Sequence, residues 1–454
     1  MKIFKYILPG LGFFLYSGIY AQNATITDLK ELQGNYKLTD NAEIRIESDR
    51  FSMGKNVSLI EADGEGRWRV RGRDIVFSAV KKNRENTLIV ERYGETVEVG
   101  KELPAGFRNY KEMSPEALAG LVAPRVMIAN DVPGVSIALI KNRRVASDLQ
   151  YGLKNSADPQ ARVDVSSVFE ACSMSKPVFA YFALRLAEQG ELDLDTPLVE
   201  YLGKDYTEDP EHRKITARMV LTHTSGFPNW RPGGRKKGGP IPVLFEPGTE
   251  HKYSGEGILF LQKTVEKILE IDNSAEAFDK LLYRSLLKPA GMPHSHYIWQ
   301  GEYKNTYADG HNKKGEVKRK KRRTYKEVNT AFTLYTTPVE YARFLLELMK
   351  TDRSAPHSLG EELWRKMTSP QQDIHSTEIL PRRDRTATGT RHFGLGLRID
   401  SLDSGLRIGH TGSNSNGFRC VSDYNPETGN GVVIMTNGDN GSRVYNALLS
   451  YLAD

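Results

Sequence analysis

One change of periodicity constrains this chain more than any other feature. From about Leu32 to Pro104 apolar and polar residues alternate in short runs, such as Ala42-Glu43-Ile44-Arg45-Ile46, Arg67-Trp68-Arg69-Val70-Arg71 and Thr87-Leu88-Ile89-Val90, with Gly, Asn and Asp between them. A period of two broken by frequent turns is the pattern of half-buried antiparallel strands. Around Met113 it gives way to Ser114-Pro115-Glu116, a helix start with proline in its first turn, followed by Leu118, Leu121, Val122 and Val126. The change places a small all-β module over residues 22–112 and a second domain over residues 113–454. A chain of 454 residues has length for both.

The second domain begins and ends in strands. Pro133 to Ile140 reads as a buried strand, with Val145 to Tyr151 as its hairpin partner, and Gly431 to Thr436 is another strand near the far end. Val444, Leu448, Leu449 and Leu452 then form one apolar helical face. A sheet built from both ends, with mostly helical material between, predicts an α/β (α+β) fold: an antiparallel sheet flanked by helices, plus a helical lobe.

The first 21 residues read as a secretory signal, with Lys2 and Lys5, an apolar run from Ile7 to Tyr20 and the small residue Ala21. The alternative, a membrane anchor, asks for roughly 20 apolar residues. No cysteine follows the run to accept a lipid, so the expectation is an exported protein, periplasmic or secreted. The net charge of +6 is too small for this length to argue for nucleic acid. Residues 313–326 hold a dense basic run, which reads either as a solvated loop or as a contact for anionic envelope polymers or lipid. The two cysteines, Cys172 and Cys420, lack the spacing of a zinc site and are either one disulfide or two buried thiols.

Chemistry concentrates in Phe169 to Pro177, which leads into the apolar face of Val178, Phe179, Phe182, Leu184 and Leu186. Ser173 stands at the start of that helix, where free backbone N–H groups favour developing negative charge. Lys176 follows one turn later on the same face, within reach of the Ser173 hydroxyl. A serine needs such a partner, because its unassisted hydroxyl is a poor nucleophile. The bland reading of Ser-x-x-Lys alone is a capping serine and a solvent lysine. Further on, Tyr253-Ser254-Gly255 follows a turn-rich approach and leads into an amphipathic helix. Leu406 to Ser413 is a strand carrying His410-Thr411-Gly412.

These three ordered elements, Ser173-Met174-Ser175-Lys176, Tyr253-Ser254-Gly255 and His410-Thr411-Gly412, resemble those of the serine penicillin-recognising enzymes: class C β-lactamases, D-alanyl-D-alanine carboxypeptidases and related esterases. Leu221 to Gly226 and Phe393 to Gly396 are similar to the same group, and the resemblance covers about Ser114 to Asp454. It implies a β-lactamase/transpeptidase-like fold with the site between two lobes. It also implies an acyl-enzyme on Ser173, with Lys176 and Tyr253 carrying protons. The oxyanion and substrate positions implied are His410, Thr411, Gly412, Ser413 and Gly255, with backbone N–H groups of Ser173 and Ser413 as donors. No cofactor or metal is implied, and the substrate is a small molecule or peptidoglycan-like. Two positions depart from the pattern: Gly255 stands where an Asn is usual, and His410 where Lys is frequent. Both favour ester over amide bonds, making an ester-cleaving serine hydrolase the expectation and a D-amino peptidase of the D-alanyl-D-alanine carboxypeptidase kind or a β-lactamase the alternative. Tyr253 and Lys176 both titrate near 10 in water, and the residues alone leave open which is the base. His223 is a rival base or a structural histidine, and Trp230 and Arg231 are candidates for specificity. No Gly-x-Ser-x-Gly elbow occurs. The readings from other classes are a penicillin-binding sensor that acylates without turnover, and an envelope-binding protein.

Overall fold

The computed structural model describes residues 26–452 except 65, 83–84, 204–208, 234–239, 272–273, 375–388 and 404. The expected signal segment, residues 1–21, lies outside the described residues. Contacts divide the chain into two compact units, one of residues 1–92 with 96–104 and one of 93–95 with 105–454. Among the described residues no helix is long and apolar enough to cross a membrane.

The first unit is an antiparallel meander of eight strands in chain order: β1 (Gly34–Thr39), β2 (Ala42–Glu47), β3 (Arg50–Met53), β4 (Asn56–Ala62), β5 (Arg67–Val70), β6 (Val76–Lys82), β7 (Glu85–Arg92) and β8 (Glu95–Val99). Its first hairpins have two-residue links, as at Gly54-Lys55, where Gly54 takes φ 61°. Such tight links need a left-handed residue to match the strand twist. The Lys37 N–H donates to the Gly100 carbonyl at 2.7 Å, which curls the sheet until its first strand meets the chain leaving its last. Alternation then sends one face inward, where Tyr36, Ile44, Phe51, Phe77, Leu88 and Val90 are wholly buried. The interior is filled by side chains, with Phe77 stacked on Trp68 at 5.5 Å and tilted to Phe51 at 5.8 Å.

The second unit is built on β9 (Gly134–Lys141), β10 (Arg144–Gly152), β13 (Gln372–Ile374), β14 (Gly389–Phe393), β15 (Arg398–Leu402), β16 (Gly405–Ser413), β17 (Arg419–Asn425) and β18 (Asn430–Thr436). They form one antiparallel sheet in the order β10-β9-β18-β17-β16-β15-β14-β13. The strands expected from both chain ends pair directly, Val135 opposite Thr436 and Ile140 opposite Gly431. Seven of the eight residues of β9 are buried, so it reads as a continuous apolar run rather than an alternation. The helices Pro115–Ala129 and Gly441–Leu452 pack on each other and on the sheet, and Pro338–Met349 packs on β9, β10 and β18. Ser114 caps the first of these, accepting the Ala117 N–H at 3.2 Å. Between β10 and β13 the regular elements are helices joined by long loops, apart from the ribbon of β11 (Phe169–Glu170) and β12 (Tyr335–Thr336). The mixed fold therefore matches the expectation: a large antiparallel sheet with helices, and a separate all-β module.

Phe77 occupies the middle of the small β unit and touches two other rings. Replacing it with alanine is predicted to destabilise that unit by about 3–5 kcal/mol, as for other buried phenylalanines. Denaturation followed by the fluorescence of Trp68 checks this, and an unchanged midpoint would refute the packing.

Candidate active site

The nucleophile candidate sits on a constrained turn. Residues Cys172–Met174 form a 3-10 turn that runs into the helix Ser175–Glu188, and Cys172 adopts a left-handed φ of 54°. Such a backbone is unfavourable for a residue with a Cβ and persists where surrounding contacts impose it. Here Ser175 Oγ donates to the Cys172 carbonyl at 2.6 Å and accepts the Leu334 N–H at 3.0 Å. One turn on, Lys176 Nζ donates to Ser173 Oγ at 3.1 Å and to the Ala331 carbonyl at 2.8 Å. Lys176 is 1% exposed, and burial pushes its amine down to about 7, slightly opposed by Cys172. A buried cation without a carboxylate partner loses its proton readily.

The second element is fixed by its neighbours. Tyr253 is half-buried with its hydroxyl enclosed, that oxygen makes no hydrogen bond of normal geometry, and Lys176 Nζ lies 4.8 Å from its ring centroid. Burial raises the phenol above its ordinary range, against a smaller lowering by the Ser173 hydroxyl. Of the two residues left open as base, Lys176 is therefore the one with a large unprotonated fraction near pH 7, whereas the phenol keeps its proton. His223 stands behind the tyrosine. Its ring is 4.4 Å from the Tyr253 ring, its Nδ1 accepts the Ser254 N–H at 3.2 Å, and its carbonyl accepts the Lys252 N–H at 2.8 Å. Burial, then Lys176, His251 and His410, hold its pKa well below 6.5. These contacts give His223 a role in shaping the segment that carries Tyr253.

Gly255, the first residue of the helix Gly255–Ile268, has a physical reason to be glycine. A Cβ there would lie 2.6–2.9 Å from three ring carbons of Trp230. The indole is held in place because Arg231 grips the fully buried Glu256 through its backbone N–H (3.0 Å), Nε (3.0 Å) and Nη2 (2.6 Å). Asn229, in the same segment, accepts the Gly255 N–H on Oδ1 at 3.0 Å. Ser254 Oγ is occupied, accepting the Gly257 N–H and donating to the Pro228 carbonyl.

The third element is β16. Gly412 passes so close to the nucleophile turn that a Cβ would lie 2.3 Å from the Ala171 carbonyl and 3.1 Å from the Cys172 Cβ. His410 is buried, its Nδ1–H donates to the Thr411 carbonyl at 2.6 Å, and burial followed by Lys176 pushes it down to about 3. It is a neutral imidazole at pH 7. The turn after Ser413 is tied to the nucleophile strand by Glu170, whose wholly buried carboxylate accepts from Tyr307 (2.5 Å), Tyr325 (3.0 Å), Asn416 (3.0 Å) and Asn414. Burial raises its pKa, and these four donors act in the opposite direction. Nothing in the pattern around Glu170 marks it as a hub, because its donors come from three distant segments. Cys172 and Cys420 are free, buried thiols, both donating weakly to the Glu170 carbonyl at 3.3 and 3.4 Å.

Ser173, Tyr253, His410, Thr411 and Ser413 open into one cavity of about 1000 Å³. Asn229 and Trp230 line it too, whereas Arg231 points to its ion pair with Glu256 and Gly255 lies behind the indole. Three arginines that the motifs did not reveal complete the wall: Arg323, Arg391 and Arg398. Among the described residues no group of three or more His, Cys, Asp or Glu is placed to hold a metal ion.

The family described as Beta-lactamase matches residues 117–453. A "Beta-lactamase" of Pseudomonas fluorescens is 26% identical over 213 residues, 42% of this chain and 53% of that protein. The chain spans about half the length of the curated relatives it matches. Among solved structures, a D-alanine carboxypeptidase, AmpC, from Burkholderia cenocepacia aligns with a TM-score of 0.56 at 20% identity, covering 72% of this chain and 96% of its own. A beta-lactamase/D-alanine carboxypeptidase from Yersinia pestis complexed with citrate aligns at 0.59 and 19%, covering 75% and 99%. At these identities the structural matches establish the fold.

The contact between Gly255 and Trp230 predicts a non-additive pair. Gly255→Asn alone should destabilise the protein by about 1–3 kcal/mol through overpacking. Adding Trp230→Ala should recover most of that loss. A double-mutant cycle of denaturation midpoints decides it, and simple additivity would refute the contact.

Proposed function

The chain belongs to the beta-lactamase family, and from that premise we propose that it is an exported serine hydrolase that forms an acyl-enzyme on Ser173 and favours esters. The observation that carries this reading is the 3.1 Å hydrogen bond between Ser173 Oγ and a buried Lys176 amine whose pKa lies near 7. A neutral amine at that distance accepts the hydroxyl proton as Oγ attacks a carbonyl carbon. Lys176 then returns the proton towards the leaving group, with the unpartnered Tyr253 hydroxyl next to its path. The developing oxyanion is assigned to the backbone N–H groups of Ser173 and Ser413, whose residues line the same cavity. Water activated by the same amine would release the acyl group. The proposed export rests on the apolar N-terminal segment.

The preference for esters rests on Gly255, which offers no side-chain amide to a substrate N–H or carbonyl, and on the packing that keeps it glycine. A second reading, amide hydrolysis by a D-amino peptidase or β-lactamase, is favoured by Asn229. Its Oδ1 is held by the Gly255 N–H, and the residue lines the cavity. Catalytic efficiency on a nitrophenyl ester, a chromogenic cephalosporin and a D-amino dipeptide separates the two. A clear preference for either nitrogen-containing substrate would overturn the ester reading.

Two further outcomes test the machinery. Ser173→Ala should abolish covalent labelling by a fluorophosphonate and all turnover, while its circular dichroism stays native. Persistent labelling would remove Ser173 as nucleophile, and an adduct that forms but never clears would indicate a sensor. Because Lys176 must be neutral to accept a proton, acylation should rise as pH increases through about 7 and then level off. A flat profile from pH 5 to 9 would contradict Lys176 as base.

A further inference from the structure

The helix Gly255–Ile268 follows directly on Tyr253, and its buried face carries an amide among hydrocarbon. Gln262 is 3% exposed, and Ile258, Leu261 and Val265, its neighbours on the helix, are wholly buried. An amide so placed costs stability unless its polar groups are satisfied. Here they all are. Oε1 accepts the Thr330 N–H at 2.8 Å and the Thr330 hydroxyl at 3.0 Å, while Nε2 donates to the Val328 carbonyl at 3.0 Å and to Glu266 Oε1 at 2.7 Å. Apart from the bond to Glu266, these contacts leave the helix for residues 328–330. That segment enters a turn in which the Phe332 N–H donates to the Asn329 carbonyl at 2.9 Å and the Ala331 N–H to Asn329 Oδ1 at 3.1 Å. Inside this turn is the Ala331 carbonyl, which accepts from Lys176 Nζ at 2.8 Å. The chain then returns to the nucleophile, the Leu334 N–H donating to Ser175 Oγ at 3.0 Å and the Leu334 carbonyl accepting the Ala171 N–H at 2.8 Å.

We infer that Gln262 is a positioning residue for the base: it fixes the turn of residues 329–332 so that the Ala331 carbonyl engages one N–H of Lys176 and leaves the lone pair for the Ser173 hydroxyl. This deepens the hydrolase reading and rests on it for the role of Lys176. A neutral amine has two N–H groups and one lone pair, and without the carbonyl it turns freely, so that an N–H faces Ser173 as readily as the lone pair does. The same carbonyl favours the ammonium, because a charged donor makes the stronger hydrogen bond. The titratable groups around the nitrogen add no charge at pH 7: Tyr253, His223 and His410 are held uncharged, and Cys172 keeps its proton. Loosening the turn therefore lowers the proton affinity of the amine and spoils its aim.

The test follows the rate of fluorophosphonate labelling of the full chain from about pH 5 to pH 9. Gln262→Met, similar in size but without the amide, should move the midpoint of the rise from about 7 to lower pH by about one unit. Its plateau at high pH should fall by about ten- to a hundredfold. Partial unfolding lowers a plateau and leaves the midpoint where it was, so the pair of changes distinguishes positioning from lost structure. Thr330→Val removes the hydroxyl bond from the other end, should shift the midpoint the same way by less, and should add little to Gln262→Met. It decides the matter alone if Gln262→Met does not fold. Thr264→Val is the control, a wholly buried position on the same helix whose hydroxyl donates to the Phe260 carbonyl at 3.0 Å, and it should leave the midpoint in place. A midpoint unmoved by Gln262→Met and Thr330→Val, or moved equally by Thr264→Val, overturns the inference. Titration of Lys176 by NMR of the Ser173→Ala chain, with lysine labelled at Cε and the signal assigned by its loss in Lys176→Ala, separates this idea from the hydrolase reading. Adding Gln262→Met should lower that titration midpoint by about one unit whether or not the unmodified protein labels, and an unchanged midpoint refutes the role.

Discussion

Burial of one amine is the constraint on which the site depends. Lys176 is 1% exposed, and its nitrogen has two oxygen neighbours, the Ser173 hydroxyl and the Ala331 carbonyl. A lysine so enclosed, without an anion beside it, must spend much of its time neutral at ordinary pH. Neutrality is useful only if a proton donor faces it, and the helix spacing supplies Ser173. The cost of enclosing the amine is met by the packing of the helix Ser175–Glu188, of which eleven of fourteen residues are buried. Tyr253 and His410 face the cavity with His223 behind them, and all three are pushed towards their uncharged forms by the same exclusion of water.

The parts of this arrangement that lie within one turn of chain were legible in the residues alone. Ser173 and Lys176 are three apart across a 3-10 turn and the helix that continues it, so their meeting follows from helical spacing. The strand pairing of the two chain ends was legible as well, because both segments are short apolar runs bounded by turns. The proposed choice of Lys176 over Tyr253 was not, since it rests on burial, which lowers an amine and raises a phenol and which no local pattern reports. Glu170 was missed for a related reason: its meaning comes from Tyr307, Tyr325, Asn414 and Asn416, which only the fold brings together. Arg323 was seen only as one charge in a basic run, and only the fold places it in the cavity wall. In the small β unit the alternation announced strands, but the curl that joins Lys37 to Gly100 depends on residues at opposite ends of the meander.

Gly255 shows how an apparent loss can be a structural choice. Judged against the family pattern, the position lacks a side chain. Judged against its surroundings, the space is taken by Trp230, which the Arg231–Glu256 ion pair holds over the helix start. The aromatic surface gained and the amide given up are two sides of one packing decision, and Asn229 enters the cavity wall from the same segment.

The pairing of β9 with β18 has a consequence for how the molecule comes into being. The small β unit is made from consecutive hairpins, so each strand pairs with its neighbour in sequence. The larger sheet cannot do this: Val135 waits for Thr436, and β17 and β16 are aligned by β18 in turn. Gly412 of β16 closes against Ala171, so the cavity wall is completed by a contact between segments far apart in sequence. The cavity therefore exists only once strands far apart in the chain have found one another, whereas the small β unit asks each strand to meet only its neighbour.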